Sequence, residues 1–401
     1  MNTSAAQLRE RSRALAPGVG LSLARGVTPL VACLLLAVAL HIAVRPLMGD
    51  YAAKLVLDIG VAVILAVSLT IVNGFTGQFS MGHAGFLAVG GYASGAVTYY
   101  GSLKVWGSAA THGGVLSGRP MSVDPATLPL IGSGDLLFVG ALLVGGLTAA
   151  VLGLIVGLPS LRLRGDYLAI VTLGFGEIVR VCIQQTGPVI RTAAEAAQVP
   201  AWKLATSVGG ALGFTGIPKY TSLFWVWLIA GITIMVAYRL KRSTYGRAFL
   251  SIREDEIASE AMGVNTTRYK VWAFVISAFF AGIAGGLFAH TLGVGLSAEA
   301  AGFLKSFDII IMVVLGGLGS VSGAALAAMV VTLLPEWLRG KHVGPVDLSQ
   351  YRLVIYALAL ILMMIFRPKG LLGVAELWDR SLWTSLAARL KRLAGGKGGS
   401  R

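Results

Sequence analysis

A chain of 401 residues with 56% hydrophobic residues, 13% charged residues and a mean hydropathy of +0.78 cannot cover itself with an ordinary polar surface; water-soluble domains carry about 25% charge. The formal net charge of +15 would suggest nucleic acid as a partner in a soluble protein, but here the basic residues fall between long apolar runs and report topology instead. The two cysteines, Cys33 and Cys182, both lie in apolar runs, which excludes a disulfide framework and a cysteine metal cage.

In chain order, residues 1–26 carry Arg9, Arg11, Arg13 and Arg25 ahead of the first apolar run and read as a cytoplasmic N-terminal segment. No small-residue cleavage site follows that run, so it is expected to stay as a span. A hydrocarbon core of about 30 Å, at 1.5 Å rise per residue, needs about 20 apolar residues per crossing. On that measure the chain predicts an all-α integral membrane protein of about ten transmembrane helices, at 27–44, 55–72, 83–100, 136–158, 167–184, 221–238, 271–292, 307–316, 319–335 and 352–367. The transmembrane body is expected over 27–373, with a cytoplasmic tail at 374–401. The tail's GGKGGS stretch at 395–400 is a flexible end and lacks the first glycine of a phosphate loop. No segment between spans is long enough to bury a core of its own, so no soluble catalytic domain is expected.

Orientation follows from the loops. Segment 239–270 holds seven cations: Arg239, Lys241, Arg242, Arg247, Arg253, Arg268 and Lys270. The comparably long segments 101–134 and 184–220 hold two and three. This positive-inside bias predicts a multi-pass protein of a plasma membrane with both termini cytoplasmic.

Three glycine clusters interrupt the apolar pattern, at 74–85 (GFTGQFSMGHAG), 281–286 (AGIAGG) and 316–323 (GGLGSVSG). The first and last are expected to break spans. Irregular backbone at membrane depth must be buried in protein or line a wet cavity, and a matched pair of broken segments in two halves of a chain points to a translocation pathway. Tight helix packing alone is the competing explanation. Gln78 and Ser80 in the first cluster, His83 just after it and Ser320 in the last offer hydrogen bonds to a passing solute; a helix-start capping network would use the same groups. Glu177 and Arg180 are intramembrane ionisable residues at i, i+3, suited either to a pathway or to a neutralised structural pair. His41, Asp58, His290 and Asp308 lie near expected span ends and read as interfacial. No side chains are spaced as a nucleophile with its base or as a metal site, so catalysis is not expected.

The stretch 243–270 carries the most specific information. It predicts two short helices, the second starting near Arg253 with Glu254, Asp255 and Glu256 in its first turn, where the helix dipole favours anions, and ending at Gly263, the usual left-handed cap residue. Ile257, Ala258, Ala261 and Met262 then share one face. Such a helix either lies in the membrane interface or docks in a groove on a cytoplasmic partner and transmits its motion to the adjoining spans.

The segments GRAFLSIREDEIASEAMGVNTTRYKVWAFVISAFFAGIAGGLFA (246–289), LRLRGDYLAIVTLGFGEIVR (161–180), GFTGQFSMGHAGFLAVGGYASG (74–95), VVLGGLGSVSGAALAA (313–328) and LVIYALALILMMIFRPKGLLG (353–373) together resemble the permease subunits of ABC importers for branched-chain amino acids, of the LivM type. The likeness runs from about residue 55 onward. It implies the vitamin-B12-importer-like (type II) architecture and a heterodimer with a second permease subunit. It also implies two cytoplasmic ATP-binding subunits that bind ATP and Mg, with no cofactor in this chain, and a periplasmic amino-acid-binding protein that selects the substrate. By position, Gly246, Arg247, Arg253, Glu254, Asp255, Glu256, Glu260, Ala261 and Gly263 fit the family's ATPase-coupling motif. Where this chain departs from the family, in expanded stretches at 101–134 and 185–207 and in Leu212 near a common asparagine, the binding-protein side is affected. Urea or a short amide is the alternative cargo, since importers for these have similar permeases. A lone carrier driven by an ion gradient is the alternative from another class, and it has no need of a docking helix.

Overall fold

In hydrocarbon every backbone N–H and C=O must find its partner inside the chain, and a helix satisfies them locally. The computed structural model accordingly is helical nearly throughout. It describes residues 19–117, 129–160, 165–291, 295–339, 342–343, 346–347, 351–366, 370–373 and 375–379. The helices are α1 (Val19–Leu69), which runs into a π-helical turn (Thr70–Phe75), α2 (His83–Trp106), α3 (Ser133–Ser160), α4 (Asp166–Gln184) and the short α5 (Ala193–Gln198) and α6 (Ala201–Ala205). They continue with α7 (Leu223–Arg242), α8 (Thr244–Glu254), α9 (Glu256–Ala261), α10 (Thr266–Ala289), α11 (Phe303–Gly316), α12 (Val321–Leu338) and α13 (Arg352–Phe366). A two-residue antiparallel pair, His342–Val343 with Val346–Asp347, lies between α12 and α13.

Among the described residues six helices are long and apolar enough to cross a membrane: Val27–Phe75, Ser133–Pro159, Tyr167–Gln184, Leu223–Arg242, Thr266–Ala289 and Val321–Leu338. The first of these covers both spans expected at 27–44 and 55–72. It is not straight. Gly49 adopts a non-helical conformation (φ 80°, ψ 175°) just after Pro46. Cys33 and Gly60 both lie against α7, at Gly231 and Val226 respectively. On a straight helix Cys33 and Gly60 would be about 40 Å apart, whereas their partners are separated by only about 7.5 Å along α7. The chain therefore folds back at Gly49, where a left-handed φ is available only to glycine without strain.

Outward faces are apolar, which is the reverse of a water-soluble bundle: Leu136, Leu143, Leu147, Val151, Ile155 and Leu158 of α3 and Tyr167, Ile170 and Ile178 of α4 are all exposed. The inside is held by close helix approach. α10 packs on α2 and α3, α2 on α3, and α1 on α7. At the centre Gly90 of α2, Gly145 of α3 and Gly282 of α10 meet backbone to backbone; a Cβ on Gly282 would sit 2.6 Å from the Gly145 carbonyl oxygen. The cluster at 281–286 thus serves helix packing.

The bundle has two ends. One carries the hairpin α8–α9 between α7 and α10, together with the 76–82 and 317–320 breaks. The other carries α5, α6 and the 107–117, 129–132 and 206–222 segments, tied to the bundle by a backbone bridge between Phe214 and Leu296 and by the Thr221 hydroxyl donating to the Leu287 carbonyl at 2.8 Å. His290, expected at an interface, is instead fully buried at this second end, 2.7 Å from Thr98 Oγ1 and edge-on to Phe138. Residues 118–128 of the expanded 101–134 stretch lie outside the described residues, as do 1–18 and 380–401 of the two expected terminal segments.

Candidate functional site

The hairpin between α7 and α10 is built from local capping. Ser243 accepts from Gly246 N at 3.2 Å and starts α8; Asp255 accepts from Ala258 N at 3.0 Å and starts α9; Asn265 accepts from Arg268 N at 3.0 Å and starts α10. These are the side chains that helix N-caps favour. The second helix of the hairpin therefore begins at Glu256, not near Arg253: Arg253 and Glu254 finish α8, and extended backbone at Asp255 (φ −155°, ψ 112°) separates the two helices. The expectation failed because the acidic run was read as one first turn, whereas its middle member is the cap. Gly263 (φ 85°) ends the turn, as expected.

The hairpin's polar and apolar groups are sorted by direction. Glu256 turns inward to Lys270 at 2.5 Å, whose side chain is only 7% exposed, and Glu260 accepts from Thr266 Oγ1 at 2.6 Å. Phe249 is fully buried, with its ring edge-on to Tyr269. Gly246 is pressed against the end of α7, where a Cβ would strike the Leu240 and Lys241 carbonyls. Outward, Ile257 is 67% and Met262 84% exposed, and Ala258 and Ala261 are exposed beside them. Arg247, Glu254 and Asp255 are exposed around this face. The result is a small apolar platform with charged residues around it, fastened to α10 through Glu256 and Glu260.

The two glycine breaks, distant in sequence, are in contact. A Cβ on Gly74 would lie 2.7 Å from the Gly319 nitrogen. Arg253, from the end of α8, reaches both: its Nη1 donates to the Gly74 carbonyl at 2.8 Å and to the Leu318 carbonyl at 3.2 Å. In the first break Asn73 Oδ1 accepts from Ser80 N at 3.1 Å, and Thr76 Oγ1 donates to Gln78 Oε1 at 3.3 Å. His83, at the start of α2, is buried with Nε2 2.8 Å from Ser68 Oγ. Thr172 Oγ1 of α4 accepts from Met81 N at 3.0 Å.

In the second break Ser320 caps α12 by accepting from Gly323 N at 3.0 Å. Glu376, only 2% exposed, fills the same helix start: its carboxylate accepts from Val321 N (3.1 Å), Ser322 N (2.9 Å) and Ser322 Oγ (2.6 Å), and pairs with Lys241 Nζ at 2.6 Å. Leu371 N and Leu372 N donate to the Leu315 and Gly316 carbonyls, the last of α11. Residues 370–373 and 375–379, the latter assigned in sequence to the tail, thus complete the second break.

Of the residues singled out in sequence, Gln78, Ser80, His83 and Ser320 lie in or beside the paired breaks. Glu177 and Arg180 pair with each other at 2.7 Å and stand apart, about 8–12 Å further along α4 than Thr172. Asn73, Thr172, Lys241 and Glu376 were missed. An intramembrane Asn before a glycine run was a usable signal; Glu376, in a short polar stretch after the last span, had none.

Long apolar helices, a small apolar platform with charged neighbours at one end and broken helices that meet beside it are the architecture of a membrane-embedded protein. The family model for the branched-chain amino acid transport system permease component matches residues 51–366. The chain belongs to that family. It is 34% identical over 330 residues to the high-affinity branched-chain amino acid transport system permease protein LivM of Salmonella typhimurium strain LT2, covering 78% of this chain and 68% of that one. The LivM of Escherichia coli strain K12 is 33% identical over 364 residues, covering 86% and 75%. The permease protein LivH of the same strain is 30% identical over 156 residues, covering 38% of this chain and 47% of that one. No solved structure matches the chain.

Proposed function

We propose that this chain is one of two permease subunits of an ABC importer that moves leucine, isoleucine and valine across the inner membrane of a bacterium. It crosses the bilayer about ten times in the vitamin-B12-importer-like arrangement, with both termini cytoplasmic. Two cytoplasmic ATP-binding subunits drive it, one of them seated on the α9 platform, and a periplasmic binding protein delivers the cargo at the opposite end, where Trp202 and Leu212 are exposed. The partial likeness to LivH supports a pair of related permeases. The seven cations of segment 239–270 support the cytoplasmic placement of the platform.

The observation that carries the reading is the platform. A six-residue helix whose acids are bonded back to α10 and which leaves Ile257 and Met262 in the open suits a groove on a partner. A carrier working alone has no use for it. Gly246, Arg247, Arg253, Glu254, Asp255, Glu256, Glu260, Ala261 and Gly263 then form the coupling unit, and Gln78, Ser80, His83, Glu177, Arg180 and Ser320 belong to the pathway. A branched-chain amino acid is a zwitterion with an apolar side chain, so its passage asks for an apolar wall with few hydrogen-bonding groups that release it readily.

The test is the double substitution Ile257→Glu with Met262→Glu. The permease should insert and extract from membranes as before, while the ATP-binding subunits no longer co-purify with it, because two charges are forced into an apolar contact. Full co-purification would remove the platform as the docking site.

A further inference from the structure

We propose that Arg253 is the positioning residue that links the ATPase-docking hairpin to the gate, acting as a strut across the two glycine breaks. The proposal rests on the docking role of α9 given above. It differs from a role for Arg253 in touching the ATPase, since its guanidinium points the other way.

The breaks are where the bundle can change shape. Each interrupts a helix, so each leaves backbone carbonyls without intrahelical partners. In the second break the amides of Leu371 and Leu372 take the carbonyls of Leu315 and Gly316. Leu318 and, across the contact, Gly74 turn their carbonyls to one nitrogen of Arg253. A cation there also faces the negative ends of two helices, the π-helical end of α1 and the end of α11. The glycines make the room. A Cβ on Gly77 (φ 70°) would lie 3.0 Å from Arg253 Cγ, and one on Gly319 (φ 102°) would lie 2.8 Å from its Nη1.

The other end of the lever is short and stiff. Arg253 is the second-last residue of α8, and Asp255, two positions on, caps α9. α8 itself is fixed by Phe249 in the interior and by Gly246 against the end of α7. A displacement of α9 by its docked partner is therefore delivered to Arg253 through Asp255, alongside α10, to which Glu256 and Glu260 tie α9 at Lys270 and Thr266. Because one nitrogen holds both breaks, they must either move together or be released together. Bistable packing of this kind converts small shifts into switching.

The test uses the complete transporter, with its second permease and ATP-binding subunits, reconstituted in vesicles with the binding protein. Arg253→Ala should still retain the ATP-binding subunits and hydrolyse ATP. The amount of leucine imported per ATP should fall about tenfold, in line with the loss of charge-assisted hydrogen bonds. Arg253→Lys, which keeps the charge but loses the planar fork, should fall between the two. Gly319→Ala, with an intact arginine but a crowded slot, should show the same fall in leucine per ATP. A merely structural arginine would lower yield, hydrolysis and uptake together and leave their ratio unchanged. An unchanged ratio in Arg253→Ala would overturn the strut, and so would loss of the ATP-binding subunits from that variant. The docking reading fails separately, if the Ile257→Glu, Met262→Glu permease still holds them.

Discussion

Glu376 shows what a single residue does in this bundle. Its carboxylate is almost wholly buried, neutralised by Lys241 at 2.6 Å and supplied with the first free amides of α12. Those amides carry the positive end of the helix, so a carboxylate there is favoured twice. Lys241 is only 12% exposed, and removing the acid alone takes the 2.6 Å carboxylate from a buried ammonium. Glu376→Ala should therefore destabilise the detergent-purified protein by about 3–5 kcal/mol, seen as a lower thermal midpoint. The double variant Lys241→Met, Glu376→Met should recover much of that loss, since no lone charge is left. Equal midpoints for Glu376→Ala and the parent would show that the pair is open to water. This pair could not be read in advance, because its members lie on segments that only the fold brings together. The caps were different: Ser243, Asp255, Asn265 and Ser320 are residue types that helix N-caps favour, so the signal was local, yet in sequence Asp255 reads as a first-turn acid.

At the level of elements, hydropathy located the helices because the bilayer imposes length and apolarity on each one directly. It was weaker on how they end. α2 runs on to Trp106 beyond the expected 100, and α1 begins before the expected 27, since an apolar window says nothing about where helix leaves the membrane. The bend at Gly49 was legible only as a gap between two runs. Glycine-rich pattern alone also left open which clusters pack and which break. Geometry separates them: the 281–286 cluster stays helical within α10, whereas the other two are broken at 76–82 and 317–320. Gly282→Leu should thus prevent assembly of α10 on α2 and α3, where a Cβ already meets Ala149 Cβ at 2.5 Å. The measure is the fraction recovered as a monodisperse species after detergent extraction. Gly140→Leu on the outward face of α3, where a Cβ meets nothing within 4 Å, should be recovered like the parent. Equal recovery of both variants would argue against the glycine contact as the centre of the bundle.

For the whole molecule, class and family were legible from the chain because motif segments are spread along nearly its full length. What could not be read was the joint between them. The α8–α9 hairpin and the two breaks are three separate stretches of sequence, yet Arg253, Gly74 and Leu318 form one contact. If a partner docks on α9 as proposed, that contact is its direct line to the interrupted helices. The central claim is that this permease moves branched-chain amino acids with ATP as the driving force. It is tested most directly by uptake of labelled leucine and labelled urea into vesicles holding the complete complex, its binding protein and internal ATP, with sodium and proton gradients collapsed. The expected result is leucine accumulation that needs ATP and the binding protein, with little urea. Accumulation that vanishes with the gradients and ignores ATP would contradict the account.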